Sequence, residues 1–404
     1  MSVAQRGEGA DHGRAPSPGW LPAPAAGGVR RIGTVELRRV RLPLVRRFRT
    51  SSHAKAELEH ILVVLTDTDG AVGWGEIASP SGPFYSAETV ESCWAVARDH
   101  LAPLALRTDW KHPAELAAAL GKVRGNAFAR AGFDIAAWAL WSAAAGVPLA
   151  YALGGRRDHV EAGVSLGIEP TVDDLLAQVG LRVEEGYRRV KLKIAPGWDV
   201  EPVRAVRAAH PDVPLHVDAN GAYEDIPAHR AVLEQLDELG LLMIEQPFAP
   251  RALVAHAALQ ERIATPVCLD ESVEEVDDLV TALRLGAGRI LNIKVSRMGG
   301  LTHAVRAHDL AYEHGVPVWC GGMHEFGIGR AANVALSALA GFTLPSDVSG
   351  SDRYYARDVT TRPIASAEGL VEVPTAPGLG WEADLPYVEQ RTTDRLVLGA
   401  GDGA

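Results

Sequence analysis

Short apolar segments alternate with amphipathic helical segments over residues 156–348, and this alternation limits the possible folds more than any other feature of the sequence. Parallel strands need long crossover connections, which are usually helices, so the pattern is typical of a parallel α/β barrel. We therefore expect a modified TIM (β/α) barrel. Its candidate strands are GVSLGI, RRVKLKI, PLHVDAN, LLMIEQP, PVCLDES, RILNIKV, PVWCGGM and FTLPSD.

The residues before the barrel show a different pattern. Residues 34–44 alternate in polarity, and residues 60–77 are typical of two strands joined by a turn at Asp69–Gly70. Helical patterns follow, including an Ala-rich segment that is apolar nearly all round and is expected to be buried. These patterns predict an α+β domain over residues 29–155.

The chain ends and the segment after the barrel show neither pattern. Residues 1–28 are rich in Gly, Ala and Pro, which predicts a flexible tail. We expect residues 349–392 to pack back on the first domain and residues 393–404 to form a second tail.

Composition excludes several classes of protein. The chain of 404 residues has a net charge of −11, which disfavours binding to nucleic acid. It has no apolar run of about 18 residues and no signal-peptide core, so we expect a cytoplasmic protein with no membrane span. Its three cysteines include no CxxC pair, which argues against a disulfide framework and a structural zinc site.

Polar residues end most of the candidate barrel strands, where the fold itself requires none. The carboxyl ends of barrel strands meet at one mouth, where active sites form. Asp218, Glu245 and Asp270 follow one another at close to one strand–helix repeat, so we expect their carboxylates to lie together there. The other polar residues at these strand ends are Lys191, Lys193, Asn220, Glu271 and Lys294.

Three carboxylates at one mouth would repel one another strongly without a cation. Oxygen ligands suit Mg²⁺ better than zinc, so the three acids predict a magnesium site. The alternative is that each acid caps a helix or is a solvated loop charge, and Asp270 before Glu271–Ser272 is the clearest candidate for a cap. Glu245 is harder to explain in this way, because it ends an apolar strand.

Lys191 and Lys193 alternate with apolar residues, so both face the same side of one strand. In the barrel mouth, burial and mutual repulsion would lower the pKa of a lysine, as a lysine base requires. On an exposed edge strand they would be two solvated charges. Lys294 interrupts another apolar run four strands further on, so we expect it to face Lys193 across the barrel.

Several motifs contain these residues. They are GWGE (73–76), KLK (191–193), VDAN (217–220), IEQP (244–247), LDES (269–272), NIK (292–294), WCGGM (319–323), GIGRAANVAL (327–336) and SGSDRYYARDVT (349–360). From about Arg31 to Tyr387 the chain resembles the muconate-lactonizing subgroup of the enolase superfamily. Within it, the chain is similar to the o-succinylbenzoate synthase and N-acylamino acid racemase family.

The resemblance implies an enolase-type capping domain, with loops at 48–53 and 81–85 covering the barrel mouth. It implies that Asp218, Glu245 and Asp270 bind Mg²⁺, or Mn²⁺ in its place. Lys193 would be the principal base, Lys191 the residue that tunes it, and Lys294 the lysine on the opposite face. Candidate substrate contacts are Asn220, Glu325, Met323, Thr50 and Ser51. The expected partners are a small-molecule carboxylate substrate and further copies of the chain in a homo-oligomer.

The chemistry implied is removal of a proton α to a carboxylate, which forms an enediolate. We expect o-succinylbenzoate synthase activity, a dehydration in menaquinone biosynthesis that is driven by aromatisation and needs one positioned base. The alternative is racemisation of N-succinylamino acids, which needs both Lys193 and Lys294. One site could perform both reactions, because the first proton abstraction is shared.

Residues 323–327 depart from the commoner family pattern, which has small or aliphatic residues around the position of Glu325. We expect His324 to line the pocket, the alternative being a catalytic base. Glu325 would either face the substrate or hold a loop by hydrogen bonds. The bulk of His324 and Phe326 is expected to restrict the amino acid side chains that the pocket accepts.

An alternative interpretation of residues 327–332 is a dinucleotide-binding site, because they have a GxGxxA pattern with Asp347 about 20 residues later. Only one candidate strand follows, so the repeated strand–helix unit of a dinucleotide fold cannot be completed. Close helix packing explains the glycines more simply.

Overall fold

The computed structural model of the chain describes residues 28–49 and 54–399. Its antiparallel strands are β1 (Arg30–Arg49), β2 (Ala54–Asp67), β3 (Val72–Ile77), β4 (Asp109–Trp110) and β5 (His159–Glu161). The strands of the barrel are β6 (Gly163–Leu166), β7 (Arg189–Lys193), β8 (Leu215–Asp218), β9 (Met243–Glu245), β10 (Val267–Leu269), β11 (Ile290–Ile293) and β12 (Val318–Cys320). Two more antiparallel strands follow, β13 (Leu370–Glu372) and β14 (Thr392–Gly399).

Helices connect and cover these strands. Before the barrel strands they are α1 (Val90–Val96), α2 (Ala102–Arg107), α3 (Pro113–Leu120), α4 (Ala127–Ala144) and α5 (Leu149–Ala152), with a π-helical turn at Ala97–Leu101. Between the barrel strands lie α6 (Val172–Glu184), α7 (Val200–Ala209), α8 (Pro227–Asp237), α9 (Leu253–Gln260), α10 (Val276–Leu285) and α11 (Leu301–Glu313). They are followed by α12 (Gly327–Ser337), a 3₁₀ turn at Ser351–Arg353 and α13 (Leu385–Arg391).

The first layer, which we call the cap, is an antiparallel sheet of order β14-β1-β2-β3, with β4 paired to β1. The β2–β3 turn forms at Asp69–Gly70 as expected, and Oδ1 of Asp67 accepts the backbone N–H groups of Asp69 and Ala71 at 3.0 and 2.8 Å. Helix α4 packs directly on β3 and is buried on nearly every side.

Two glycines of the GWGE motif allow that packing. A Cβ atom at Gly73 would lie 2.1 Å from the carbonyl oxygen of Ala136, and one at Gly75 would lie 1.9 Å from that of Gly132. No side chain fits at such distances, so β3 must be glycine where α4 crosses it.

The second layer is a parallel sheet of seven strands in the order β12-β11-β10-β9-β8-β7-β6, which confirms the modified (β/α) barrel. The eighth candidate strand, residues 342–347, makes only isolated bridges. Ser346 exchanges backbone hydrogen bonds with Glu161 and Gly163 at the β6 edge, at 2.9 and 2.8 Å. The backbone N–H of Asp347 donates to Cys320 of β12 at 2.7 Å, so this segment bridges the two edge strands.

The prediction of a tail from residue 393 is wrong as far as residue 399. Residues 392–399 form β14, which pairs with β1 from Thr34↔Gly399 to Val40↔Thr392. Leu396 and Leu398 pack against the core of the cap, and Arg395 Nε donates to Glu36 Oε1 at 2.8 Å. Burial of these leucines on an otherwise unpaired edge explains why the strand forms.

The segment after the barrel contacts the cap at β1, where the backbone N–H of Val45 donates to the carbonyl oxygen of Tyr354 at 2.9 Å. Strand β13 pairs with β5, and Leu149 N–H donates to Gly378 at 2.8 Å. None of the helices in the described ranges is long and apolar enough to cross a membrane. The predicted tail at 1–28, except for Gly28, and residues 400–404 lie outside the described residues.

Candidate active site

The carboxyl ends of β7, β8 and β9 bring polar side chains to the same height. Lys193 is the register partner of Asp218, and Asp218 is the register partner of Glu245. Parallel neighbours in register project their side chains to the same face, so the regular spacing in the sequence translates into a row at the barrel mouth. Asp218, Glu245 and Asp270 are all at most 1% exposed.

Lys191 lies below this row, where three carboxylates surround its ammonium group. Its Nζ is 3.1 Å from Glu245 Oε2, 3.4 Å from Asp218 Oδ2 and 3.1 Å from Asp347 Oδ2. Burial lowers the pKa of Lys191, but the charges of Asp347, Glu245 and Asp218 together raise it above its ordinary value. The expectation of a lowered pKa is therefore wrong for Lys191, which stays a cation because acids, not Lys193, dominate its surroundings.

Lys193 reaches further into the mouth than Lys191. Its Nζ donates to Asp218 Oδ2 at 2.6 Å and also to the Asn220 side-chain oxygen. The Asn220 amide nitrogen donates in turn to Glu271 Oε1 at 2.8 Å. Burial, and then the charge of Asp270, raise the pKa of Glu271 to about 7.

Asp270 lies between two cations. Oδ2 accepts from Lys294 Nζ at 2.8 Å, and Oδ1 contacts the Arg297 guanidinium. Tyr85 of the cap accepts from both cations, at 3.0 Å from Lys294 Nζ and 3.1 Å from Arg297 Nη1. Burial raises the pKa of Asp270, but Lys294 and Arg297 outweigh this and hold it below its ordinary value.

Glu245 is held by the amide of Asn292 as well as by Lys191, and the ring of His216 lies beside it without a hydrogen bond. Asn292 Nδ2 donates to Glu245 Oε1 at 2.6 Å, and His216 Nε2 lies 2.9 Å from Oε2. Burial, and then the charges of Arg189 and Lys191, hold the pKa of His216 well below its usual value, so the ring is neutral. The acid that ends this apolar strand therefore has the partners that its burial demands.

The carboxylates of Asp218, Glu245 and Asp270 are suitable ligands for a divalent cation, although their oxygen atoms do not converge on one point. Among the described residues, no three His, Cys, Asp or Glu side chains are placed to hold a metal ion. Lysine or arginine side chains bond Asp218, Glu245 and Asp270, so the expected joint cluster is not formed. Three buried carboxylates at neighbouring strand ends nevertheless supply the hard oxygen ligands that such an ion prefers.

A cavity of about 440 Å³ opens above the row, between the cap and the barrel. Lys191, Lys193 and Lys294 all line it, and so do the predicted substrate contacts Asn220 and Met323. Phe84 and Tyr85, from the loop expected to cover the mouth, contribute to the wall on the cap side. The other predicted contacts from the cap, Thr50 and Ser51, lie outside the described residues.

Residues 323–327, which depart from the family pattern, include side chains inside and outside the cavity wall. His324 lines the cavity, with its ring centroid 5.2 Å from that of Tyr354. Phe326 is fully buried, packs against His60 and Tyr355, and does not line the cavity, so its expected effect on substrate size is wrong. Glu325 Oε1 accepts the backbone N–H of Met323 at 2.9 Å, which is the loop-holding interaction.

The glycines of residues 327–332 begin helix α12, and carboxylates of the chain already bind its N-terminal N–H groups. Glu76 accepts the N–H groups of Phe326 and Gly329 at 2.8 and 2.7 Å, and Asp358 accepts that of Gly327 at 2.8 Å. A dinucleotide phosphate would need these donors. The acid of the supposed fingerprint, Asp347, instead binds Arg189 Nη2 at 2.8 Å and Lys191.

Several residues of this site were not singled out from the sequence. Asn292 could have been found because it alternates with Lys294 on β11, and Arg297 because it follows Lys294 by about one helical turn. No local pattern marks Tyr85 or Asp347 as neighbours of the lysines, because both arrive from distant segments of the chain.

Two family models match the chain. Residues 174–388 match the enolase C-terminal domain-like family, and residues 32–154 match the N-terminal domain of the mandelate racemase and muconate lactonizing enzyme family.

Curated relatives match along nearly their whole length. The chain is 49% identical over 361 residues to o-succinylbenzoate synthase of Geobacillus kaustophilus, covering 89% of this chain and 96% of that one. It is 44% identical over 370 residues to N-succinylamino acid racemase of Thermus thermophilus, covering 92% and 100%.

Solved structures show the same architecture. An enolase superfamily member from Listeria innocua superposes with a TM-score of 0.89 at 34% identity, covering 92% of this chain and 100% of that one. The muconate lactonizing enzyme of Pseudomonas fluorescens, solved with muconolactone, gives a TM-score of 0.85 at 25% identity, with coverage of 90% and 99%. The chain therefore belongs to the enolase superfamily, in the family of mandelate racemase and muconate lactonizing enzyme.

Proposed function

We propose that this chain is an o-succinylbenzoate synthase, which removes water from 2-succinyl-6-hydroxy-2,4-cyclohexadiene-1-carboxylate to form 2-succinylbenzoate. The observation that carries the proposal is the position of Lys193 and Lys294, which both line one cavity beside three buried carboxylates. Curated relatives of that name share 42–49% of their residues with the chain, over about nine tenths of its length.

Asp218, Glu245 and Asp270 would hold a divalent metal ion, which we propose is Mg²⁺, with Mn²⁺ able to replace it. The ion would supply positive charge for the substrate carboxylate, whose negative charge grows as the proton leaves. Asn292 and Lys191 hold the Glu245 carboxylate in place, and Arg297 does the same for Asp270.

Lys193 is the base of the proposed reaction. It takes the proton from the carbon next to the ring carboxylate, and the electron pair of the broken C–H bond enters the enediolate. The electrons then return to the ring, the C–O bond to the hydroxyl group breaks, and Lys193 gives its proton to the departing hydroxide. The sum is the loss of one water molecule and the gain of an aromatic ring.

Lys294 stays a cation in this scheme. Burial opposes its charge, but Asp270 and Tyr85 raise the pKa of Lys294 well above its ordinary value. A cation fixed beside the cavity stabilises the enediolate without moving during the reaction. Lys191, with its raised pKa, keeps a second positive charge beneath Lys193.

A second candidate is N-succinylamino acid racemase activity, which two relatives at 44% identity carry in their names. It would use Lys193 on one face of the substrate and Lys294 on the other. The higher identity to a relative named o-succinylbenzoate synthase, 49% against 44%, favours dehydration. Assays of the purified protein with both substrates test the ranking.

A further inference from the structure

Asp347 lies at the end of the segment that takes the place of an eighth barrel strand. Its backbone N–H donates to Cys320 of β12 at 2.7 Å, and Ser346 beside it bonds the edge of β6. The backbone alone makes this bridge, so closure of the barrel does not require a carboxylate here. The Asp347 side chain nevertheless lines the cavity, together with the lysines of the mouth.

Three side chains fix the Asp347 carboxylate. Arg189 Nη2 donates to Oδ1 at 2.8 Å, and Ser165 Oγ donates to Oδ2 at 3.0 Å. Lys191 Nζ also lies 3.1 Å from Oδ2. Burial raises the pKa of Asp347, but Lys191 and Arg189 outweigh this and hold the pKa well below its ordinary value. Asp347 is therefore an anion whose position is fixed from β6 and β7.

Lys191 is confined between this anion and two others. Its Nζ lies 4.7 Å from the Trp319 ring centroid, 3.1 Å from Glu245 Oε2 and 3.4 Å from Asp218 Oδ2. Lys191 is only 4% exposed, and a buried ammonium group left without a counterion is strongly destabilising. Of its three acidic neighbours, Asp347 is the one that is not proposed to bind the metal ion.

We propose that Asp347 is a positioning residue, which holds the Lys191 ammonium group as its counterion while Asp218 and Glu245 bind the divalent ion. The inference rests on the proposed function for the identity of that ion. Without the Asp347 carboxylate, Lys191 would depend on Asp218 and Glu245 alone and would compete with the ion for their oxygens. Asp347 thus favours metal binding without being a ligand.

A double-mutant cycle on the full-length protein, stripped of divalent ions, tests this role. Calorimetric titration with MgCl₂ should show about tenfold weaker binding to Asp347→Asn than to the wild type, because the charge is lost and the shape is kept. In a Lys191→Met background the same change should alter the affinity by less than about twofold, because its effect acts through Lys191.

Two further variants make the cycle decisive. Ser165→Ala leaves every charge in place but removes one bond to Asp347 Oδ2, so it should weaken Mg²⁺ binding by about threefold. It replaces Asp347→Asn in the cycle if melting curves show that Asp347→Asn does not fold. Asp212→Asn, at an exposed position before β8, is the matched control for the loss of one negative charge and should leave the affinity unchanged.

Three results of the titrations would overturn the positioning role. An equal loss of affinity in the Lys191→Met background would show that Asp347 acts on the ion directly. Unchanged affinity in the folded Asp347→Asn variant would show that Lys191 does not need this counterion. Absence of Mg²⁺ binding to the wild type would overturn both the inference and the proposed magnesium site.

A dehydration assay on the same preparations separates the inference from the proposed function. Asp347→Asn should raise the apparent KM for Mg²⁺ more than it lowers kcat at saturating Mg²⁺. A lowered kcat with an unchanged KM for Mg²⁺ would overturn the inference alone. Mg²⁺ binding that depends on Asp347 through Lys191, in a wild-type protein that does not dehydrate the substrate, would support the inference and overturn the proposed function.

Discussion

Lys193 Nζ lies 2.6 Å from Asp218 Oδ2, across the register pair that joins β7 to β8. The proposed base and a proposed metal ligand are thus in direct contact at the barrel mouth. A metal ion bound by Asp218 would compete with Lys193 for the same carboxylate, so metal binding and the position of the base are expected to depend on each other.

Lys193→Arg should abolish exchange of the α-proton with solvent. Arginine keeps the positive charge but is too basic to accept the proton, so we expect a loss of at least about 100-fold. The measurement is deuterium incorporation by NMR. Lys122→Arg, at an exposed position, is the matched control. Exchange at the wild-type rate in Lys193→Arg would remove Lys193 from the mechanism.

Lys294→Ala should affect the two candidate reactions differently. Dehydration should slow by about 100-fold, because a cation that stabilises the enediolate is lost. Racemisation should stop, with deuterium exchange retained for only one enantiomer of an N-succinylamino acid, the one that Lys193 attacks. Unchanged exchange of both enantiomers would show that Lys294 takes no part.

The barrel could be predicted from the sequence because the pattern that marks each strand end is local. The strand ends carrying Lys193, Asp218, Glu245 and Lys294 are each marked by a charge next to an apolar run. Contacts between distant segments could not be predicted in this way. Tyr85 comes to Lys294 from the cap, and the edge of β1 that β14 covers becomes known only when the sheet is assembled.

The pKa of Lys191 also could not be predicted from a local sequence pattern. The expectation that Lys191 has a lowered pKa considered Lys193 but not Asp347, which lies 3.1 Å from Lys191 in space and far away in sequence. The domain boundaries at residues 155 and 348 stay predictions, as do the metal-binding and catalytic roles of the site residues.

Removal of divalent metal should abolish dehydration, and Mg²⁺ should restore it. Asp218→Asn, Glu245→Gln and Asp270→Asn should each be inactive, because each replaces a carboxylate ligand with a weaker neutral one. Mg²⁺ should raise the melting temperature of the wild type but not that of the three variants. Full activity after chelation would contradict the metal site.

Asp134 should make the stability of the protein depend on pH. It is buried on α4 and accepts from Thr302 N and Oγ1 at 2.9 and 2.6 Å, yet burial raises its pKa to about 7. The folded state therefore binds this proton more tightly than the unfolded state. The stabilisation is fully present below about pH 4 and is lost as the pH rises through about 7, with a total of up to about 4 kcal/mol.

Urea unfolding of wild type and Asp134→Asn at pH 5 and pH 8 measures this effect. The wild type should lose more of its free energy of unfolding between the two pH values than the variant, because asparagine does not titrate. Equal losses in both proteins would show that Asp134 keeps an ordinary pKa.

The most direct test of the central claim compares kcat/KM for the two candidate reactions in one preparation of Mg²⁺-loaded wild-type protein. The account predicts a higher value for dehydration of 2-succinyl-6-hydroxy-2,4-cyclohexadiene-1-carboxylate than for racemisation of any N-succinylamino acid. A kcat/KM for racemisation far above that for dehydration would contradict it and make the chain a racemase.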